Sequence, residues 1–202
     1  FTKIWFPVKP KTKSVLVYQM KRAGHNIGWI IATWFGAGLL PKAPGTWGSL
    51  AALPFAYVIS AYTGAHILIT GIVFLFCIGT WVSNKVEESA QKKDPGFIVV
   101  DEVVGQWIAL LPLPFLYDYF TPYLSFFPVT GVSFLTFRLF DIWKPWPIKH
   151  VEKKLPGGLG IMVDDVIAGI YALITTTVLV TVIILALYIL YPAFLSHYIP
   201  EK

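Results

Sequence analysis

Residues 166–191 read VIAGIYALITTTVLVTVIILALYILY, twenty-six residues without a charged side chain. A helix needs about 20 apolar residues to cross a hydrocarbon core of about 30 Å. The β-branched run Thr175–Ile184 would suit a strand in water, but in lipid only helices and closed barrels satisfy the backbone, and the run is too long for a barrel strand. The stretch therefore predicts a transmembrane helix.

The rest of the chain has the composition of a membrane protein. Of its 202 residues, 56% are hydrophobic and 13% are charged, whereas a soluble domain carries about 25% charged residues. The run His66–Ser83 is a second clear span. Three further apolar segments contain prolines that would kink or end a helix: Ser49–Tyr62, Val103–Phe120 and Tyr123–Leu139. We expect an all-α, polytopic helical bundle with about four spans plus shorter interfacial or re-entrant helices.

Basic residues are concentrated ahead of the first apolar run. Six of the sixteen Lys and Arg residues lie within residues 1–26. Such a flank is expected of a cytoplasmic N-terminus, although a solvated tail would have the same composition. The net charge of +5 is not arranged as a basic helix with interleaved aromatics, so a nucleic-acid partner is not predicted. The single cysteine, Cys77, excludes a disulfide framework and a thiolate metal site.

Two acidic pairs stand at the mouths of apolar segments. Each follows a glycine-containing turn and precedes a small residue that leaves room for a neighbouring helix. The pairs are Asp101-Glu102, followed by Gly105, and Asp164-Asp165, followed by Ala168 and Gly169. The helix dipole favours acids in a first turn, so capping alone could explain either pair. Adjacent half-buried carboxylates are costly, however, and a divalent cation would offset that cost. Four carboxylates in two matching motifs therefore predict a magnesium site.

Basic residues that could bind a phosphate occur in two other motifs. In residues 137–147, FRLFDIWKPWP, helical spacing places Arg138, Asp141 and Lys144 on one side. A weak surface salt-bridge ladder is one interpretation, and a phosphate site at Arg138 and Lys144 is the other. In residues 40–50, LPKAPGTWGSL, Thr46 or Ser49 would cap a helix beginning near Leu50. That helix start could bind an anion, or it could be an ordinary N-cap in a surface turn.

Other phosphatase chemistries lack their residues in this chain. A cysteine phosphatase needs an arginine six residues after its nucleophile, but the sixth residue after Cys77 is Ser83. The four histidines have no Arg/Ser-rich context, and no Asp-x-Asp nucleophile motif occurs. What remains is water activated by a metal ion and a carboxylate.

At these four motifs the chain resembles the phosphatidylglycerophosphatase A family, bacterial membrane enzymes that remove the terminal phosphate of phosphatidylglycerophosphate. The matching segments are residues 39–49, 94–95, 98–107, 137–145 and 157–169. The resemblance implies magnesium dependence, a multi-helix fold, the bacterial inner membrane and a step of phosphatidylglycerol synthesis. Relatives often carry an acid just before Ile98, where this chain has Phe97, so that position is left out of the site.

We therefore expect a multi-pass, magnesium-dependent lipid phosphatase whose site faces the cytoplasm. Its domains are a basic cytoplasmic segment at 1–26, a membrane-embedded catalytic domain at 27–192 and a short tail at 193–202. Its partners are the membrane and the phospholipid substrate, and the sequence does not indicate an oligomeric state. The expected residues are Asp101, Glu102, Asp164 and Asp165 for the metal, Asp101, Asp141 and Asp165 for catalysis, and Thr46, Lys42, Arg138 and Lys144 for the phosphate.

Two other classes of protein stay open on the sequence. The acids of a small transporter or channel could form a cation path, but such a path would put acids at mid-depth in the spans. A structural or assembly subunit could use the same charges as salt bridges between helix ends, and it would tolerate pairs of charge-neutralising mutations.

Overall fold

A computed structural model describes residues 27–117 and 122–190, and this part of the chain contains helices and no strand. A 3-10 turn at Ala37–Leu39 follows the first helix. The helices are α1 Ile27–Ala32, α2 Pro44–Thr63, α3 Ala65–Ala90, α4 Val100–Ala109, α5 Pro112–Tyr117, α6 Pro122–Trp143, α7 Ile148–Lys154 and α8 Gly157–Leu190. The all-α prediction is confirmed. The proposed boundaries at residues 26 and 192 lie at or beyond the edges of the described ranges.

The short helix α4 is the centre of the bundle. It packs against α2, α3, α6 and α8, and every one of its residues except Glu102 is buried. The indole of Trp107 donates a hydrogen bond to the carbonyl of Ala52 on α2, at 3.0 Å. Most residues of α4 are therefore held in place by four neighbouring helices, which fixes the position of the acids at its start.

Proline ends α4 after ten residues. Pro112 has no N–H to donate back to residue 108, and a residue before proline disfavours the helical conformation. The chain therefore turns at Leu110 and Leu111 and begins the short helix α5. The prediction that a proline within Val103–Phe120 would kink or end a helix is confirmed at Pro112, and Phe120 lies outside the described residues.

Two of the described helices, α3 and α8, are long and apolar enough to cross a bilayer. The first contains the predicted span His66–Ser83, and the second contains the charge-free stretch that starts at Val166. The helices α2 and α6 carry Pro54 and Pro128 in their interiors. The total of about four spans stays a prediction.

The helices α4 and α8 lie side by side with both starts at the same end of the bundle. A Cβ on Gly169 would lie 2.6 Å from the carbonyl oxygen of Gly105, and a Cβ on Gly105 would lie 2.7 Å from the carbonyl oxygen of Asp165. The expectation that small residues admit a close neighbour is confirmed at both positions. This contact brings the two acidic pairs to the same level.

Candidate active site

Three of the predicted acids converge where the first turn of α4 lies against the third turn of α8. One carboxylate oxygen from each of Asp101, Glu102 and Asp165 lies within 4.8 Å of the other two. Asp101 and Asp165 are 8% and 3% exposed. Burial raises the pKa of Asp101 above its ordinary value, and the neighbouring Glu102 raises it further. Burial likewise raises the pKa of Glu102, to about 8.

The donor set of this cluster fits a hard divalent cation. Asp101 Oδ1, Glu102 Oε2 and Asp165 Oδ2 are buried and have no hydrogen-bond partner among the residues that the structure describes. Buried carboxylate oxygens without partners are costly, and a cation bound by these oxygens removes that cost. Magnesium prefers oxygen ligands and binds through one or two carboxylates together with waters and a substrate phosphate.

Asp164 lies beside the cluster and is paired with Lys144. The ammonium of Lys144 donates to Asp164 Oδ2 at 2.5 Å and to Glu152 Oε2 at 3.2 Å. Burial lowers the pKa of Lys144, but its hydrogen bonds with the two acids outweigh this effect and raise the pKa above its ordinary value. Lys144 is therefore held as a cation against Asp164, although the sequence suggested a phosphate contact for it. Asp164 Oδ1 has no hydrogen-bond partner in the described ranges.

Glu152 is a site residue that the sequence analysis missed. It belongs to the separate helix α7, and its spacing from Lys144 matches no motif. Lys144 itself has left the α6 helix, with a φ of 45°, so it cannot continue the i,i+3 row that was expected of it. The turn directs its side chain to α7 and α8 instead of along α6.

Arg138 and Asp141 form the ion pair that their spacing predicts. Arg138 Nη1 lies 2.6 Å from Asp141 Oδ2, and both side chains are largely buried. The same nitrogen donates to the hydroxyl of Ser49 on α2 at 3.4 Å. Asp141 also lies next to Asp165. The pair thus connects the acidic cluster to the first turns of α2.

The helix α2 begins six residues earlier than expected, at Pro44. Ala43 and Lys42 precede it in left-handed conformations, with φ values of 48° and 64°, and Pro44 suits a first helical position because it needs no N–H partner there. Ser49 does not cap the helix, because its hydroxyl donates to the carbonyl of Gly45 inside it. The prediction of a helix start near Leu50 capped by Thr46 or Ser49 is wrong.

The earlier start places the backbone of Gly45 directly against the acids. A Cβ on Gly45 would overlap Glu102 Oε1 and would lie 3.2 Å from Arg138 Nη1. Gly45 was not among the expected site residues, although the run PGTWGS was the available signal. Thr46 is partly buried in the same turn, and Lys42 is exposed in the preceding loop.

The predicted residues thus fall into three groups. Asp101, Glu102, Asp165, Asp141 and Arg138 are brought together, and Asp164 with Lys144 stands beside them. Thr46 and Lys42 lie at the start of α2. Asp101 and Glu102 lie in the first turn of α4, whereas Asp164 and Asp165 lie about two turns into α8, which begins at Gly157. The glycine-rich turn expected before Asp164 is therefore the first turn of this helix.

Comparison with known proteins covers most of the chain. The family model described as Phosphatidylglycerophosphatase A matches residues 30–180. Phosphatidylglycerophosphatase A of Escherichia coli (strain K12) is 34% identical over 163 residues, which is 81% of this chain and 88% of that protein. Phosphatidylglycerophosphatase A of Haemophilus influenzae is 39% identical over 145 residues, 72% of this chain and 83% of that protein.

A Bacteroides thetaiotaomicron relative carries a different substrate in its name. It is named as a candidate phosphatidylinositol-3-phosphatase and is 38% identical over 153 residues, 74% of this chain and 91% of that protein. No solved structure matches the chain. On the family match and on these identities, the chain belongs to the phosphatidylglycerophosphatase A family.

Proposed function

We propose that this chain is a magnesium-dependent lipid phosphatase that hydrolyses the terminal phosphomonoester of phosphatidylglycerophosphate to phosphatidylglycerol and inorganic phosphate. Two relatives that carry the name of this activity support it. The observation that carries the proposal is the convergence of Asp101, Glu102 and Asp165 beside the Arg138–Asp141 ion pair. The site thus combines ligands for a divalent cation with a cation for a phosphate.

Asp101, Glu102 and Asp165 would hold the metal, and Asp164 is the fourth candidate ligand through its unpaired Oδ1. A bound magnesium ion supplies Lewis-acid polarisation of the phosphoryl oxygen and lowers the pKa of water. Lys144 balances the charge of Asp164 and so limits repulsion within the group of acids.

The base that receives the proton of the attacking water is an acid of this group. Asp141 is the best placed, because it lies next to Asp165 but outside the three-acid cluster. Arg138 fixes its orientation through the 2.6 Å contact. Catalysis is thus shared among Asp101, Asp141 and Asp165, with in-line attack on phosphorus.

The substrate phosphate lies against Arg138 and the first turn of α2. The guanidinium can bind two phosphate oxygens, and the N–H groups at a helix start favour an anion. Thr46 adds a hydroxyl in that turn, and the exposed Lys42 adds a positive charge at its rim. Gly45 keeps the turn free of a side chain that would fill this space.

The distribution of charge supports a placement in the bacterial inner membrane with the site on the cytoplasmic side. The described lysines and arginine, from Lys42 to Lys154, lie in segments that meet at the end of the bundle where α4 and α8 begin. Lys and Arg are enriched on the cytoplasmic side of membrane proteins. The site therefore faces the cytoplasm, and α3 and α8 cross the bilayer.

Phosphate release by purified protein in mixed micelles tests the proposal. The panel contains phosphatidylglycerophosphate, phosphatidic acid and phosphatidylinositol 3-phosphate, each with magnesium and with EDTA. We expect magnesium-dependent release, fastest from phosphatidylglycerophosphate. Release that is unchanged in EDTA would contradict the metal assignment. Ion flux across proteoliposomes without release from any lipid would instead indicate a transporter.

A further inference from the structure

An apolar cavity of about 490 Å³ lies below the C-terminal end of α4, between α3, α5 and α8. It exists because Pro112 ends α4 while the neighbouring α8 continues to Leu190. The face of α8 from Leu173 to Ile184 thereby loses the helix that covers the preceding turns. The volume is within the range of roughly 300–1,000 Å³ that is usual for ligand sites.

The lining of this cavity suits hydrocarbon better than water. It includes Ile69, Leu116, Val180 and Ile184. The hydroxyl of Thr177, which also lines it, donates to the carbonyl of Leu173 within α8 at 2.7 Å. A buried water needs two to four polar partners, and cavities lined by apolar side chains stay dry. An occupant must therefore be apolar.

The mouth of the cavity opens between the two helices that are able to span the bilayer. Ile69 on α3 and Phe115 on α5 are 47% and 60% exposed at its rim. At 1.5 Å per residue, the stretch of α8 from Leu173 to Ile184 is about 16 Å long. An extended chain advances about 1.2 Å per bond, so this length corresponds to roughly thirteen bonds. A long acyl chain matches it.

Depth assigns the chain to the leaflet opposite the site. Leu173 and Ile184 lie about 12 Å and 28 Å along α8 from Asp165. With Asp165 at the cytoplasmic interface of a core about 30 Å thick, this range falls mostly in the far half. Between the cavity and the acids, α3 packs closely against α4, since a Cβ on Gly71 would lie 3.1 Å from the Trp107 ring. A substrate bound at the acids cannot reach the cavity by this path.

We propose that the cavity binds one acyl chain of a bilayer phospholipid of the opposite leaflet, a lipid distinct from the substrate. The proposal rests on the membrane placement given above. Helices in lipid associate through van der Waals packing, and an empty cavity forfeits those contacts for every side chain that lines it. The lipid chain makes the contacts with α8 that a longer α4 helix would have made.

Thermal unfolding of the purified protein in detergent tests this site. We expect a phospholipid with sixteen-carbon chains to raise the Tm of the wild type by about 3–6 °C at a tenfold excess over its Kd. A phospholipid with six-carbon chains should raise it much less. Thr177→Phe and Thr181→Phe fill the cavity and should abolish the difference in Tm shift between the two phospholipids. Val178→Phe, on the adjacent lipid-facing side of α8 and 56% exposed, is the matched control and should keep it.

A second measurement, on the wild type, tests the site even if the phenylalanine variants do not fold. A sixteen-carbon phosphatidylcholine with a photoreactive group near its chain end should label the wild type on α8 between Leu173 and Ile184. The lipid site is refuted if the sixteen-carbon phospholipid stabilises the two phenylalanine variants as much as the wild type. It is also refuted if the photoreactive lipid does not label this stretch. A protein that stays soluble without detergent would overturn the membrane placement. Since neither readout uses turnover, loss of the proposed phosphatase activity is a separate result.

Discussion

Gly105 and Gly169 meet at the contact between α4 and α8, where a Cβ on Gly169 would lie 2.6 Å from the carbonyl oxygen of Gly105. The obstacle is backbone, so it cannot rotate away as a side chain would. The two helices carry Asp101 and Asp165 one turn before these glycines. The separation of the two helices therefore sets the distance between these two carboxylates.

Gly169→Ala should thus weaken magnesium binding and turnover by at least about tenfold, because a displacement near 1 Å is costly at a catalytic centre. Steady-state kinetics over a magnesium titration would measure both. Gly131→Ala on α6 is the control, since a Cβ there meets nothing within 4 Å, and alanine is favoured in a helix by roughly 0.5–1 kcal/mol. Equal activity of the two variants would refute the role of the glycine contact.

Asp165→Asn should remove turnover while making the metal-free protein more stable. Neutralising one of three clustered acids, two of which are buried, relieves their repulsion, but it removes a proposed metal ligand. We expect a higher Tm than the wild type in EDTA and no further rise with magnesium. Glu88→Gln, an exposed acid on α3, should change neither value. A variant that keeps its turnover would sink the assignment of Asp165.

Lys144→Gln should destabilise the protein because Asp164 then loses its counter-charge. Breaking a buried pair costs about 3–5 kcal/mol, and the partial exposure of Lys144 reduces this to roughly 1–3 kcal/mol. Addition of Asp164→Asn should recover most of the lost stability. Denaturant unfolding of the wild type, the two single variants and the double variant would show this. If the two substitutions change the free energy of unfolding additively and Lys144→Gln alone raises KM, a phosphate contact for Lys144 is favoured instead.

Magnesium affinity should rise with pH up to about 8. Burial holds the pKa of Glu102 near 8, against 4.5 for an ordinary glutamate, so its proton competes with the metal below that pH. Between those two values the folded, metal-free protein binds more protons than the unfolded chain, and its stability therefore falls as pH rises. Calorimetry in buffers of different ionisation heats should show that magnesium binding at pH 7 releases protons. Glu102→Gln should reduce that release, and an unchanged release would exclude Glu102 as its source.

The sequence predicted the acids of the site better than the elements around them. Asp101, Glu102 and Asp165 could be found because charges at the mouths of apolar helices stand out, and the small residues after them indicated a close helix contact. The helical spacing that grouped Lys144 with Arg138 and Asp141 ends where the backbone of Lys144 turns left-handed. Glu152 could not be found, since only the packing of α7 against α8 brings it near Lys144.

The start of α2 shows a second limit of reasoning from sequence. Thr46 and Ser49 are good capping residues, but Pro44 begins the helix earlier, and local preference did not decide between the two starts. The prolines after α4 predicted either a kink or an end, and the structure has an end at Ala109. Both points concern backbone direction over a few residues.

The pairing of α4 with α8 has a consequence for the biogenesis of the protein. Asp101 is synthesised in the middle of the chain, whereas Asp165 arrives with the last described helix. The acidic cluster therefore cannot assemble until α8 has been synthesised and has docked against α4. A chain that is cut before α8 would carry most of the bundle but only two of the three clustered acids.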